Sequence, residues 1–304
     1  MDEIDLKIIL LLMNNSRLTY REISDYLGLS VNAVYKRVQI LIDLRIIEKF
    51  AARLKPYAIN AIYTFIFGQS NVQDMNKVIG ELEKHDNTWQ IALSSRNYMY
   101  IGAMLQNIHQ LDEYSSFVSQ ATKIQSPKIG LLSGVHYIAP IPYIVPKSRA
   151  MSYDKLDLEI IRSLHNDSRK PIAEVADEIN STSNTVRRRL NRMIEEGIIE
   201  LSINFNPEAS SDIFATFQIT VKPSVDKNEI AHLLNEKFYP NLFYCWTFSN
   251  LPNIILCWVW VNNTKELTEL VDNIKKENVD SIIFDIMYKV YYFETWKEKI
   301  LYKK

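Results

Sequence analysis

Residues 2–48 read DEIDLKIILLLMNNSRLTYREISDYLGLSVNAVYKRVQILIDLRIIE, and residues 154–200 read DKLDLEIIRSLHNDSRKPIAEVADEINSTSNTVRRRLNRMIEEGIIE. The two stretches align without a gap at an offset of 152, half the length of the 304-residue chain, and 18 of the 47 positions are identical. The period of 152 residues exceeds the roughly 20–50 residues of one solenoid unit. The sequence therefore predicts a duplicated set of domains.

Each copy predicts three short helices followed by a β segment. In the first copy, apolar residues recur at helical spacing, and Asp2, Thr19 and Ser30 precede the three helices as N-cap residues. Glu22, three residues after Thr19, completes a capping-box spacing. In the second copy the helices are predicted at residues 154–165, 171–179 and 183–196. Three short helices, the last two joined by a tight turn and followed by a strand, are typical of a winged helix-turn-helix.

A second pattern follows each set of helices. The first copy predicts the order βαββαβ at residues 62–68, 72–84, 90–94, 98–105, 111–121 and 129–144. The second copy repeats it at residues 214–221, 227–237, 242–248, 253–261, 265–275 and 281–293. This is the ferredoxin-like order, and because the strands are strongly apolar, we expect helices on one face of each sheet and another sheet on the other. The predicted fold class is α+β, with two winged helix-turn-helix domains and two ferredoxin-like βαββαβ domains in tandem.

Bulk composition narrows the classes of function. The hydrophobic fraction of 47% and the charged fraction of 23% are those of an ordinary globular protein. Because the formal net charge is -1, any nucleic-acid contact must come from local basic patches. Neither a glycine-rich phosphate loop nor an apolar stretch of transmembrane length occurs. With only Cys245 and Cys257 and no signal peptide, we expect no disulfide framework, no four-cysteine zinc site and a cytoplasmic location.

The polar side of each third helix supplies the candidate DNA contacts. In the first copy these are Ser30, Asn32, Tyr35, Lys36, Arg37 and Gln39. In the second copy they are Ser183, Asn184, Thr185, Arg187, Arg188, Asn191 and Arg192. Arginine and lysine bind phosphates or guanine, and asparagine binds adenine through two hydrogen bonds in the major groove. The second set is the more basic and the better candidate. Since the two sets differ, we expect an operator that departs from a perfect palindrome.

Each of these features also has a purely structural interpretation. A polar helix face can be a solvated surface, and Tyr35 suits helix packing as well as a base contact. Cys245 and Cys257 fit ordinary buried thiols, with a redox switch as the alternative. The aromatic residues of the second βαββαβ segment fit a sheet core or subunit interface, with a small-molecule pocket as the alternative. The five histidines show neither metal-ligand spacing nor a catalytic arrangement, so we expect no metal, cofactor or catalytic residue.

In these segments the chain resembles the Lrp/AsnC (feast-famine) family of transcription regulators. Residues 5–9 and 157–161 are similar to the family's LDxxDxxIL opening. Residues 14–17 and 166–169 match its N-x-S/A-R turn, and residues 34–38 and 186–190 match its V-x-x-R-V/I recognition helix. Residues 46–47 and 197–199 match its G-I/V-I exit. The resemblance covers nearly the whole chain, twice, and its most specific motifs lie in the helix-turn-helix segments.

The resemblance implies a domain order and a set of partners. Family members join a winged helix-turn-helix through a β tether to a βαββαβ effector and dimerisation module, one such unit per chain, so this chain is expected to be a covalently fused dimer. The implied segments are a winged helix-turn-helix at residues 1–50, a tether at 51–60, a βαββαβ module at 61–145, a linker at 146–153, and a second set at 154–202, 203–213 and 214–304. The implied partners are double-stranded DNA, an amino-acid-like effector near Ser95, Asn97, Ser249 and Asn250, and a second copy of the chain. No membrane partner is expected.

Two other functions stay open at this point. Sirohaem decarboxylases are similar in architecture, with paired or fused halves, and need basic residues and histidines around an anionic tetrapyrrole. His136, His232 and Lys222 are the candidates here, although these histidines do not recur at equivalent positions of the two copies. The third alternative is a DNA-binding architectural protein that has no ligand.

Overall fold

A computed structural model describes residues 1–136 and 152–302. The predicted linker at residues 146–153 lies outside these residues except for its last two positions, and so does the end of the strand predicted at residues 129–144. The helices are α1 (Glu3–Asn14), α2 (Tyr20–Leu27), α3 (Val31–Asp43), α4 (Met75–Glu83), α5 (Gln110–Thr122), α6 (Lys155–Leu164), α7 (Ile172–Glu178), α8 (Ser183–Glu195), α9 (Lys227–Lys237), α10 (Thr264–Ile274) and α11 (Trp296–Ile300). The strands are β1 (Ile47–Leu54), β2 (Ile62–Gln69), β3 (Thr88–Ser94), β4 (Tyr98–Leu105), β5 (Lys128–His136), β6 (Ile199–Phe205), β7 (Ile213–Val221), β8 (Leu242–Phe248), β9 (Leu251–Val261) and β10 (Val279–Tyr292).

The chain divides into two compact units, and each takes one part from either copy of the repeat. The described part of the helical unit comprises residues 2–60, 152–209 and 296–302. The described part of the barrel unit comprises Met1 and residues 61–136 and 210–295. Both units contain a duplicated structure, which confirms the α+β fold with paired helix-turn-helix and βαββαβ parts.

Local hydrogen bonds set the ends of the helices in the helical unit. The Asp2 carboxylate accepts from the Asp5 backbone N–H at 2.8 Å, and the Asp5 carboxylate accepts from the Asp2 N–H at 3.1 Å. Thr19 and Glu22 form the same reciprocal capping box at the start of α2. Helix α2 ends at Gly28, whose φ of +66° lies in the left-handed region that favours glycine. The predicted N-caps are confirmed here.

The two helix-turn-helix copies share a two-stranded antiparallel sheet. Strand β1 pairs with β6, with Ala52 opposite Leu201. The tethers predicted at residues 51–60 and 203–213 begin inside these strands and continue into short one-turn helices. Because each strand finds its hydrogen-bond partners on the other copy, neither copy leaves this edge of its backbone unpaired.

The Ser-Arg pair of each predicted turn docks on the other copy. Ser16 Oγ and Ser168 Oγ lie 2.6 Å apart, and both residues are fully buried. Arg17 donates to the Ser168 carbonyl at 2.6 Å, and Arg169 donates to the Ser16 carbonyl at 2.6 Å. Burial lowers the pKa of the Arg17 guanidinium from its ordinary value. The motif that recurs in both copies therefore holds them together in a reciprocal arrangement.

The barrel unit is a closed sheet of eight strands in the order β10-β3-β4-β2-β5-β8-β9-β7. The first copy supplies β3-β4-β2-β5 and the second supplies β8-β9-β7-β10. Antiparallel pairing of β5 with β8 and of β10 with β3 joins the two sets. Among the eight described strands, closure leaves no free edge for pairing with other chains. The second sheet that was expected to cover the first thus comes from the other copy and closes the same barrel.

Helices pack on the sheet of their own copy and complete two separate cores. In the first, Val78 of α4 and Val118 of α5 pack with Ile101. In the second core, Leu234 of α9 and Leu267 of α10 pack with apolar residues on the strands of the second copy. Burial of these apolar side chains stabilises each module at roughly 25 cal/mol per Å² removed from water.

Two elements differ from the sequence prediction by more than two residues at a boundary or in the unit to which they belong. Helix α4 begins at Met75 rather than at residue 72, because the Asp74 carboxylate accepts from the Lys77 N–H and acts as the N-cap. Helix α11 belongs to the helical unit, where the neighbouring Leu301 joins the core of the second helix-turn-helix copy. The sequence assigns these residues to the second βαββαβ module, at residues 214–304.

Candidate nucleic-acid interface

Helices α3 and α8 are anchored in the same way. Val34 and Val38 of α3 are fully buried in the first copy. Val186 and Leu190, at the equivalent positions of α8, are buried in the second copy. Because the same side anchors each helix, corresponding residues on the opposite side point the same way relative to their own copy. That opposite side is the candidate interface.

The exposed side of α3 is largely uncharged. Of the predicted residues, Ser30, Asn32, Tyr35 and Lys36 are exposed and Gln39 is half-buried. The Ser30 hydroxyl accepts from the Ala33 N–H at 3.1 Å and caps the helix. Val31 is 46% exposed and Ile40 is 54% exposed, so apolar groups share this surface with a single exposed cation, Lys36.

The exposed side of α8 is basic. Of the predicted residues, Asn184, Arg187, Arg188 and Asn191 are exposed, and Ser183 and Thr185 are half-buried. Helix α8 starts after Thr182, whose hydroxyl accepts from the Thr185 N–H at 3.2 Å. Arg187 and Arg188 are adjacent in sequence and both reach solvent, so their guanidinium groups can meet phosphates or base edges.

Two of the predicted arginines bind carboxylates of their own copy. Arg37 lies 2.8 Å from Asp2 and 2.7 Å from Asp5. The hydrogen bond to Asp5, followed by that to Asp2, raises the pKa of Arg37. Arg192 donates to Asp157, whose side chain is fully buried. These arginines join the third helix to the first, and their guanidinium groups are therefore already engaged within the protein.

Tyr35 both packs and reaches solvent. Its ring lies edge-on to that of Tyr20, with the centroids 5.4 Å apart and the planes at 77°. The guanidinium of Arg169, from the second copy, lies 5.1 Å from the Tyr20 ring centroid. Tyr35 itself remains 47% exposed. The contact with Tyr20 orients the ring, and its exposed part is available to a ligand.

The turns predicted to bind an effector join the two βαββαβ modules. They contain the predicted residues Ser95, Asn97, Ser249 and Asn250. The Ser95 hydroxyl accepts from the Ile286 N–H at 3.1 Å. The Asn250 side chain accepts from the Leu131 N–H at 2.8 Å. Each turn is thus bonded to the last strand of the other module, so three of these residues already have partners within the barrel.

A polar network in the barrel was not predicted. Asp285 is fully buried and accepts from Arg96 Nη2 at 2.6 Å. The Tyr100 hydroxyl donates to Asp285 at 3.2 Å and accepts from the Gln218 amide at 3.0 Å. Burial raises the pKa of the Tyr100 hydroxyl well above its ordinary value. The sequence signal was Asp285 itself, a carboxylate in the middle of a strand rich in apolar residues.

Of the residues of the enzymatic alternative, His136 and His232 lie near enough to interact electrostatically. His136 is half-buried with its Nε2 atom inaccessible, and burial lowers the pKa of its imidazole. His232 and Lys222 are exposed. The side chains of His232 and Lys222 therefore lie on the surface. The ring of His136 lies at the end of β5 beside β8.

The two cysteines lie close together in the part of the chain that the structure describes, residues 1–136 and 152–302. Cys245 Sγ and Cys257 Sγ lie 3.2 Å apart and both residues are fully buried. Burial raises the pKa of the Cys257 thiol, which disfavours the reactive thiolate. Within these residues no group of three or more His, Cys, Asp or Glu side chains is placed to hold a metal ion. Nor does any helix among them combine the length and apolar character needed to span a membrane.

The two helix-turn-helix copies match known families separately. Residues 1–42 match the AsnC-type helix-turn-helix domain. Residues 153–200 match the winged helix-turn-helix DNA-binding family. Both matches fall on the segments that contain α3 and α8.

Relatives of this chain include HTH-type transcriptional regulators of Pyrococcus species. The uncharacterized HTH-type transcriptional regulator PH0140 of Pyrococcus horikoshii is 34% identical over 91 residues, 29% of this chain and 58% of that protein. The uncharacterized HTH-type transcriptional regulator PF2053 of Pyrococcus furiosus is 32% identical over 109 residues, 34% of this chain and 72% of that protein. The chain thus spans little more than half the length of PH0140.

Solved structures of a sirohaem decarboxylase match both copies together. The sirohaem decarboxylase NirDL shares 9% sequence identity, with a TM-score of 0.62 over 99% of this chain and 96% of that protein. At this identity the similarity concerns the fold alone. The tandem arrangement of the two copies therefore has a known architectural counterpart.

Proposed function

This chain belongs to the Lrp/AsnC family of helix-turn-helix transcription regulators, and we propose that it is a sequence-specific DNA-binding regulator that acts as a covalent pseudo-dimer. The helical unit carries the proposal. Two helix-turn-helix copies dock on each other through reciprocal contacts of Arg17 and Arg169, and each exposes the polar side of its third helix. In complexes of this motif the third helix lies in the major groove, and paired copies read half-sites about 34 Å or a multiple of it apart.

The exposed residues divide into those suited to bases and those suited to the DNA backbone. Asn32 and Asn184 are the second residues of their helices, and both are exposed. Residues at the start of a recognition helix are the ones that contact base edges in the major groove. Lys36, Arg187 and Arg188 supply positive charge for phosphates or guanine. Since the net charge of the chain is -1, these local cations must produce the electrostatic part of the affinity, which weakens with added salt.

Two further partners are proposed. The first is a second copy of the chain. Its support is an exposed apolar surface on β10, where Ile283 is 48%, Ile286 is 38% and Tyr288 is 49% exposed. The second is a small-molecule effector of the amino-acid class at the turns that contain Asn97 and Ser249. A cytoplasmic location accompanies the proposed role at DNA.

The proposal includes no catalytic step, and binding of sirohaem is the test that separates it from the enzymatic alternative. Purified full-length protein titrated with sirohaem is expected to leave the Soret absorption of the free tetrapyrrole unchanged. Stoichiometric binding with a shifted Soret band would favour the enzyme. A His136→Phe variant that abolished such a shift would then place the tetrapyrrole near β5.

The test of DNA binding is footprinting of the full-length chain on a site captured from genomic DNA. The double variant Arg187→Ala/Arg188→Ala is expected to bind that site at least about 10-fold more weakly, because each lost arginine contact is worth roughly 1–3 kcal/mol. The matched control is Lys265→Ala/Lys275→Ala, which also removes two positive charges. These lysines of the α10 region are 85% and 54% exposed, and their removal should leave affinity unchanged. Absence of any protected site at low salt, or unchanged affinity of the arginine variant, would contradict the proposal.

A further inference from the structure

Helices α3 and α8 both expose an asparagine in the first turn, and they expose different residues one turn later. The offset of 152 places Asn32 with Asn184, Tyr35 with Arg187, and Lys36 with Arg188. All six side chains are exposed. The asparagine, the residue three positions on and the residue four positions on lie on the same side of a helix. The two copies therefore present one common group and one different pair of groups to whatever lies against them.

The remaining arginines of both helices are held within the protein. Arg37 and Arg189 occupy equivalent positions and bind the first helix of their own copies. Arg37 lies 2.7 Å from Asp5, and Arg189 lies 3.2 Å from Asp157. The hydrogen bond from Arg189 also lowers the pKa of the Asp154 carboxyl, which keeps that ion pair charged. The arginines left for a ligand are therefore on α8, at positions 187 and 188.

This arrangement deepens the proposed function, on which it rests. We propose that the two half-sites differ in base composition. Helix α8 reads a guanine through Arg187, whereas α3 presents Tyr35 to an A·T pair at the equivalent position. Asn184 and Asn32 each read an adenine next to it.

The chemistry of the side chains supports this assignment. Arginine donates two parallel hydrogen bonds to O6 and N7 of guanine, and asparagine pairs with N6 and N7 of adenine. A tyrosine ring has no such fork but suits the methyl group of thymine. Val31, 46% exposed one turn before Tyr35, adds a second apolar contact, whereas the equivalent position in α8 is Ser183. Contact with Tyr20 holds the Tyr35 ring in place for this role.

A phosphate contact by Arg187 is the competing assignment. Such a contact would strengthen binding to every sequence alike. A guanine contact strengthens binding only where the base is guanine. The two assignments therefore differ in sequence preference and can be separated by one set of variants.

The experiment is selection of full-length protein on randomised duplex DNA, followed by affinity measurements on the selected site. The wild-type chain should enrich two unlike half-sites, each with an adenine, of which one has a neighbouring guanine and the other an A·T pair. Replacing that guanine should weaken wild-type binding roughly 10-fold or more. The Arg187→Tyr variant should lose this preference, and Arg187→Lys should weaken it, because lysine keeps the charge without the planar fork. Tyr35→Arg should create a guanine preference in the other half-site.

The outcomes separate this inference from the proposed function. Enrichment of two identical half-sites would overturn the inference and leave the DNA-binding regulator standing. So would an Arg187→Lys variant that kept the full guanine preference, or an Arg187→Tyr variant whose affinity fell equally for both DNA sequences. Failure to enrich any sequence would overturn the proposed function itself.

Discussion

The sheets of the two copies meet at two equivalent junctions of the barrel, β10 with β3 and β5 with β8. Each junction contains one equivalent place, and the side chains at these two places differ in size and charge. The pairing registers align them, since β10 meets β3 at Met287 and Ser94 while β5 meets β8 at Leu132 and Phe248. Two residues earlier on these strands, Asp285 of the second copy stands where the first copy has Gly130. The first of these places contains Asp285 on β10 of the second copy and Ser94 on β3 of the first copy. The second contains Gly130 on β5 of the first copy and Phe248 on β8 of the second copy.

One place is polar and the other is aromatic. Asp285 is buried and is bonded to Arg96 and Tyr100. The small Ser94 stands where the other place has Phe248. At the other place the Phe248 ring fills the space next to Gly130, where a Cβ would lie only 2.5 Å from the ring. Large replaces small and charged replaces apolar at these two places. We therefore expect the sheets of the two copies to fit each other better than a second sheet of their own kind.

The largest expected effect is the loss of the aromatic filling. Phe248→Ala should lower the free energy of unfolding of the barrel unit by about 4 kcal/mol, because it leaves a cavity in a closed core. Ser94→Ala is the matched change at the equivalent place. Since the described residues offer the buried Ser94 hydroxyl no hydrogen-bond partner, its removal should be neutral or slightly stabilising. Chemical denaturation measures both, and equal losses would contradict the difference between the two places.

The reciprocal arginines of the helical unit allow a second comparison. Arg169 donates to the carbonyls of Ser16 and Leu18 and also stacks over Phe50 at 4.5 Å. Arg17 makes the equivalent hydrogen bonds to the other copy. We expect Arg169→Ala to destabilise the helical unit by about 3 kcal/mol, because it loses the ring contact as well as the hydrogen bonds, and Arg17→Ala by about 2 kcal/mol. A denaturation experiment in which Arg17→Ala is the more harmful variant would refute this order.

Gly130 provides a smaller effect with an internal control. Gly130→Ala should destabilise the barrel unit by about 2 kcal/mol, because the new methyl group meets the buried Phe248 ring. Gly80 lies in α4, where an added Cβ would have nothing within 4 Å. The same substitution there should stabilise the helix by about 0.5–1 kcal/mol. If both alanine variants shift the melting temperature in the same direction, the close approach of Phe248 to Gly130 is not what requires glycine.

The features that could be predicted from the sequence are those decided by neighbouring residues. The caps at Asp2 and Thr19 involve hydrogen bonds over three residues, and the apolar spacing of α3 is visible in its own turn-by-turn pattern. The pairing of Arg96 with Asp285 joins positions 189 residues apart. No local pattern encodes such a contact. The docking of Arg17 on Ser168 is an intermediate case, because the motif was visible in both copies but its partner was not.

The same limit applies to the candidate interface. Position along α3 and α8 correctly separated exposed Asn32 and Arg187 from the buried side. The sequence pattern did not reveal that Arg37 binds Asp2 and that Arg192 binds Asp157, at the first helix of each copy. Each carboxylate lies about 35 residues away from its arginine in sequence. Long-range ion pairs therefore decide which of the predicted contacts keep a free charge.

The smallest expected effect is on the pH dependence of barrel stability. The first copy has a histidine, His136, at a position where the second copy has none. Burial lowers the pKa of His136 below its ordinary value near 6.5, and the equivalent residue of β10 is Tyr291. Because the folded state resists protonation, this contribution is complete above the ordinary histidine pKa and is lost as pH falls below it. His136→Gln should reduce the loss of barrel stability between about pH 7 and pH 5 by less than about 1 kcal/mol. His85, whose pKa burial also lowers, retains its own contribution in both proteins. An unchanged stability profile would show that His136 is equally protonated in both states.

The most direct test of the account is hydroxyl-radical footprinting of the full-length chain on its selected DNA site at low salt. The covalent pseudo-dimer predicts two protected segments of unlike sequence, about one helical turn or a multiple of it apart. Arg187→Ala should weaken protection of the guanine-containing segment first as protein is diluted, and Lys36→Ala should do so for the other. A single protected segment, two identical segments, or no protection would contradict a regulator whose two halves read different DNA.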